Sequence, residues 1–146
     1  MSIQVEVVQE VSDEVVAAVR RLLPQLSRTA TPPDRAQLAR IVDCPANAVV
    51  LARSGGAIVG MLTLVTFPIP TGLRARIEDV VVDEAARGQG VGAALTQAAL
   101  RLAAASGART VDLTSRPSRA AANRLYERRG FQLRDSRVYC FTIQAR

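Results

Sequence analysis

The chain has 146 residues, 49% of them apolar, and carries a formal net charge of +6. That suits one compact domain with its own core, and no apolar run reaches the ~18 residues a membrane span needs. There is no histidine and no lysine, and the two cysteines form no C-x-x-C pair. These absences exclude a zinc site, a P-loop and a histidine-activated nucleophile, so no metal is expected.

The opening "MSIQVEVVQE" lacks a basic region followed by an apolar stretch, so a cytoplasmic protein with no membrane partner is expected. "IQVEVVQ" alternates and predicts a strand over Ile3 to Gln9. Ser12 is placed to cap a helix, with Asp13 and Glu14 in its first turn. Val15, Val16, Val19, Leu22 and Leu23 make its apolar face, and it stops near Pro24. A loop follows, then a short helix in "PDRAQLARIVDC" that ends before Pro45. Cys44 and Cys140 read as reduced, mostly buried thiols.

Asn47 to Arg53 and Ala57 to Phe67 flank "SGG", a hairpin signal. "FPIPTG" reads as a break, and Arg74 to Asp83 as a further strand. A helix then runs to about Ala105, with Val91, Leu95, Ala98, Leu102 and Ala105 as its apolar stripe and Gly107 as its stop. "RTVDLTS" predicts a strand. Ser118 is expected to cap a helix over Arg119 to Arg129, and "RVYCFTI" predicts a last strand. The order β-α-α-β-β-β-α-β-α-β implies an α/β (α+β) fold, a mixed sheet with helices on both faces.

The chemistry-bearing stretch is "ARGQGVGAAL", Ala86 to Leu95, with glycines at 88, 90 and 92 between a strand and a helix. A helix start leaves amides without partners and favours anions. Glycine permits close approach and positive φ. The run also fits the dinucleotide pattern G-x-G-x-x-G/A, with Asp112 about 20 residues on. Too little chain follows Gly92 for a second mononucleotide half, and the preceding hairpin is antiparallel.

The run "IEDVVVDEAARGQGVGAAL" and the downstream "NRLYERRGF" together resemble the acetyl-CoA motif and the Tyr-Glu-x-x-Gly-Phe landmark of the GCN5-related N-acetyltransferase (GNAT) superfamily. The resemblance extends to the element order along nearly the whole chain. It implies one domain over residues 1–146, with six to seven strands, about four helices and splayed central strands. It implies acetyl-CoA as co-substrate, its pyrophosphate held by Arg87, Gly88, Gln89, Gly90, Val91, Gly92 and Ala93. It also implies pantetheine contacts from the backbone of Val80, Val81 and Val82.

By the same resemblance Glu78 is the general base, with Asp79 as the alternate, and Tyr126 protonates the leaving thiolate. Strand alternation would point Glu78 and Asp79 to opposite faces. Glu78 also reads as a solvated carboxylate paired with Arg74 or Arg76. The family's usual cofactor-contacting asparagine position is Arg119 here, and Asn123 stands nearer the tyrosine, so both are cofactor-binding candidates. Arg124 or Arg128 could also reach the 3′-phosphate.

The acceptor is expected to be an amine. Arg28, Arg35 and Arg74 near the anticipated pocket favour one carrying a carboxylate or phosphate. A homodimer is expected, since dimers are the commonest assembly. Two alternatives stand beside this reading. One is a coenzyme A-binding module without catalysis. The other is a nucleic-acid-binding domain, which only the charge favours, since five aromatics in no array make no stacking platform.

Overall fold

The computed structural model describes residues 2–143. They divide into two compact units, one running to Ser115 and one starting at Arg116. The first unit holds strand β1 (Ile3–Val7), helices α1 (Asp13–Leu26) and α2 (Arg35–Asp43), and strands β2 (Asn47–Ser54), β3 (Ala57–Ile69) and β4 (Gly72–Val82). A 3-10 turn (Glu84–Ala86), helix α3 (Val91–Ser106) and strand β5 (Thr110–Asp112) complete it. The strands lie in the order β1-β2-β3-β4-β5. All neighbours are antiparallel except β4 and β5, which are parallel.

Local chemistry accounts for most boundaries. The Val15 amide donates to Ser12 Oγ at the start of α1. Asp34 and Gln37 form a reciprocal capping box at the start of α2. Gly55 and Gly56 both have positive φ, which a two-residue turn of the primed type requires between β2 and β3. Gly107 closes α3 in the left-handed region.

The two faces of the sheet are covered separately. Val49, Leu51, Met61 and Val81 join Val15, Val16, Val19, Leu22 and Leu38 in a core under α1 and α2. The alternate positions face α3. A Cβ built on Gly60 would lie 2.8 Å from Val91 Cγ1 and 3.1 Å from Leu95 Cδ1. Glycine at 60 therefore sets how closely α3 approaches the sheet.

Several expectations are corrected. α1 continues past Pro24 to Leu26, and the Ser27 amide closes on the Leu23 carbonyl at 3.0 Å. "FPIPTG" is a hairpin rather than a break, since Ile69 pairs with Gly72. Pro68 is tolerated because β3 has passed its last pairing with β2, at Val65, and lies there at a sheet edge. On α3 the buried stripe passes through Ala99 and Ala103 rather than Leu102 and Ala105. β5 is only three residues long. Both cysteines are exposed, Cys44 as the residue ending α2.

The second unit contains helix α4 (Ala120–Arg128). Ser118 does not cap it. The Arg119 amide instead turns back to the Arg116 carbonyl, which also accepts from Asn123 Nδ2. The strand expected in "RVYCFTI" does not form among the described residues, so the sheet has five strands, not six or seven. Leu133, Val138, Tyr139, Phe141 and Ile143 are exposed there. Apolar, strand-favouring composition needs a pairing partner to become a strand, and the second unit has no other strand among the described residues.

Candidate functional site

The site is built on β4 and the glycine-bearing loop after it. β4 pairs with β5 only at Arg74–Thr110, Ala75–Val111 and Arg76–Asp112, yet runs on to Val82. From Ile77 to Val82 its outer edge has no strand partner among the described residues. The pairing stops where β5 ends, at Asp112, which leaves Val80, Val81 and Val82 beyond it. Their burial differs, with Val81 buried and its two neighbours half-buried. Past the end of β5, the buried hydroxyl of Ser115 has no hydrogen-bond partner among the described residues.

Opposite β3, β4 contains a bulge. Thr63 pairs with Glu78 and Met61 with Val81, so two residues of β4 stand against Leu62 alone. The bulge lies at Asp79, whose φ is 53°, in the left-handed region. Aspartate is among the few residues that enter it readily. The extra residue cancels strict alternation. Glu78 and Asp79 both line one cleft of about 390 Å³, where alternation had predicted opposite faces.

That cleft lies between the sheet and helices α1 and α2. Its walls include Val19, Leu23, Leu38, Ile41, Val49, Met61 and Val65, with Asn47 and Thr63 as neutral polar groups. Glu78 and Asp79 are the charged residues lining it, and no arginine among the described residues does. Arg35 is bound to Asp13 and to the Val11 carbonyl. Arg74 donates to Thr110 and Thr71 hydroxyls. Within the cleft wall Glu78 Oε1 accepts from Arg76 Nε at 3.0 Å. Both partners are well exposed, so this pair adds little stability. Partial desolvation, with the Glu78 charge beside it, raises the Asp79 carboxyl above its ordinary pKa.

Beyond β4, Gly88 (φ 81°) and Gly90 (φ 86°) are both left-handed, and a Cβ at either would meet only open space. Backbone conformation, not crowding, requires glycine at these two positions. No side chain caps α3. Ala94 is the first residue to close a helical bond, to the Gly90 carbonyl at 3.0 Å. The amides of Val91, Gly92 and Ala93 are left without helical partners. Arg87, Gly88, Gln89 and Gly90 are exposed, and Arg87 makes no ion pair among the described residues. An anion fits such a site: free amides, the positive end of a helix and an exposed guanidinium.

In the second unit Tyr126 is buried and meets Phe131 edge-on at 5.8 Å between ring centroids. Burial raises its phenol pKa, with the Arg119 charge opposing. The hydroxyl is thereby held protonated. Asn123 holds the turn before α4, and Arg119 is its cap residue.

The sequence left two features of the site unseen: the shared orientation of Glu78 and Asp79, and the apolar character of the cleft. The consecutive carboxylates inside an apolar strand were the only trace of the first.

Residues 15–131 match the model of the Acetyltransferase (GNAT) family. No curated protein matches. Among solved structures, an acetyltransferase from Trypanosoma brucei is 26% identical, with 97% of this chain and 100% of that one covered and a TM-score of 0.78. An aminoglycoside acetyltransferase from an uncultured soil metagenomic sample, in complex with trehalose, is 20% identical at a TM-score of 0.84, covering 98% and 97%. AAC(6')-Iy, in complex with a bisubstrate analogue of coenzyme A and acetylneamine, is 19% identical at a TM-score of 0.77, covering 99% and 100%. No helix among the described residues is long and apolar enough to cross a membrane.

Proposed function

The chain belongs to the GNAT family of acetyltransferases, and from that premise we propose that it transfers an acetyl group from acetyl-CoA to a primary amine by direct attack, with residues 1–146 acting as one catalytic domain. The observation that carries this reading is the continuous segment from Glu78 to Ala93. It joins a carboxylate-bearing cleft, an unpaired strand edge and an uncapped helix start within sixteen consecutive residues.

The roles follow from that order. The amides of Gly88 to Ala93 and the Arg87 guanidinium hold the pyrophosphate of coenzyme A. The open edge of β4 at Val80 to Val82 takes the pantetheine arm as a further strand would be taken, and an amide there polarises the thioester carbonyl. The acceptor ammonium first gives a proton to the Glu78–Asp79 pair, and the neutral nitrogen then attacks that carbonyl carbon, forming the C–N bond. Its surplus proton passes to the Glu78–Asp79 pair. Arg76 donates a hydrogen bond to Glu78, and the Asp79 carboxyl, raised by partial desolvation, takes a proton more readily than an ordinary aspartate. The C–S bond then breaks, and the protonated Tyr126 phenol supplies the proton for the thiolate.

Thermal shift with acetyl-CoA, followed by an amine panel read out by released thiol, tests the whole reading. Acetyl-CoA at 100 times its dissociation constant stabilises the fold by about 2.7 kcal/mol. Binding with no amine turned over would leave a coenzyme A-binding module instead. Tyr126→Phe should keep acetyl-CoA binding and lower kcat about 100-fold. Full turnover in that variant removes the acid role.

A further inference from the structure

The charge and lining of the α1–α2 cleft are not those of a site for an anionic acceptor. Glu78 and Asp79 stand together at one end, brought there by the left-handed bulge at Asp79. The remaining walls are mostly hydrocarbon: Leu23 from α1, Leu38 and Ile41 from α2, and Met61 and Val65 from β3. Asn47 is already committed, its Nδ2 donating to the Ile41 carbonyl at 3.1 Å. The nearest guanidinium on β4, Arg76, is paired with Glu78 itself. Among the described residues lining the cleft, a phosphate or carboxylate on the acceptor would meet two carboxylates and no arginine. A second or third ammonium held away from Glu78 and Asp79, as on a polyamine or aminoglycoside, would lie against leucine and isoleucine, and the described lining holds no further carboxylate there. The volume of about 390 Å³ lies at the small end of ligand cavities.

We infer that the acceptor is a small primary amine whose single positive charge sits on an otherwise apolar alkyl or aralkyl body. Its ammonium is drawn to Glu78 and Asp79, and its hydrocarbon packs between α1, α2 and β3. This rests on the acetyltransferase reading and narrows it. Charge attraction places the nitrogen beside the groups that take its proton. The apolar walls provide the selectivity, because each well-buried hydrocarbon contact discriminates by roughly 10-fold or more.

The test compares kcat/KM on the full chain at saturating acetyl-CoA. The acceptors are phenethylamine, hexylamine, glucosamine 6-phosphate, spermidine, kanamycin and a hexapeptide with a free N-terminal alanine. One of the two apolar monoamines should exceed each of the other four by about 10-fold or more. Ile41→Arg, at a rim position that already reaches solvent, should reverse the ranking toward glucosamine 6-phosphate while acetyl-CoA still raises the melting temperature. Preference for the phosphorylated sugar, the polyamine, the aminoglycoside or the peptide in the unmodified chain overturns the inference and leaves acetyl transfer standing. Acetyl-CoA that gives no stabilisation overturns the acetyltransferase reading, and this inference with it.

Discussion

Asp79 carries two unusual properties at once: a left-handed backbone and a carboxyl whose ionisation the fold opposes. Folding raises its pKa, so its contribution to stability is complete below the unfolded carboxylate value of about 3.9. That contribution is lost as pH rises through the folded value. Asp79→Asn tolerates the same backbone and has no charge to lose. It should melt higher than the unmodified protein at pH 7, with the advantage vanishing near pH 3. Asp79→Ala lacks the side chain that makes the left-handed region accessible and should be about 1 kcal/mol less stable than the asparagine variant. In turnover the sign is opposite, because the base must be ionised. The acid limb of kcat/KM should lie above the ordinary aspartate range and flatten in Asp79→Asn. A limb unchanged in that variant would assign the proton to Glu78 alone. Here the sequence was legible only in part. Glu78 and Asp79 stand out as acids in a valine-rich strand, but one inserted residue leaves no mark in composition, so alternation separated two side chains that the bulge unites.

Among the elements, α3 is where packing is least forgiving. Gly60 lies on β3 beneath Val91 and Leu95, and its own Cβ position is also 3.2 Å from the Val81 carbonyl. Gly60→Ala should cost about 1–3 kcal/mol by chemical denaturation, since backbone and two buried side chains must yield. A cost below about 0.5 kcal/mol, on the order of a surface change, would show that α3 can slide. Elements with local signals were readable in advance: Ser12 before α1, Gly55–Gly56 between β2 and β3, and Gly107 after α3. Those set by distant partners were not. Pro68 suggested a break, and only the end of the β2 pairing explains why a strand persists through it. Residues 137–143 are rich in apolar, strand-favouring side chains, yet they form no strand among the described residues.

Over the whole molecule the basic excess is uneven. Arg116, Arg119, Arg124, Arg128, Arg129, Arg134 and Arg137 share the second unit with only Glu127 and Asp135 as acids among its described residues. In the first unit Arg21, Arg35, Arg53 and Arg76 are all in ion pairs. A basic surface attracts a polyanion such as coenzyme A over a range that salt shortens. KM for acetyl-CoA should therefore rise several-fold between about 50 mM and about 500 mM salt, with kcat nearly constant. A KM indifferent to salt would mean that main-chain amides alone provide the affinity.

The edge of β4 from Ile77 to Val82, which has no strand partner among the described residues, also bears on the protein's own production. A strand edge without a strand partner is a template on which another chain can pair. A donor bound along this edge, as proposed above, would shield it. Refolding yield from denaturant should rise when coenzyme A is present, with light scattering falling in step. The donor would then act as a chaperone, tying the pool of usable enzyme to the supply of the metabolite it consumes.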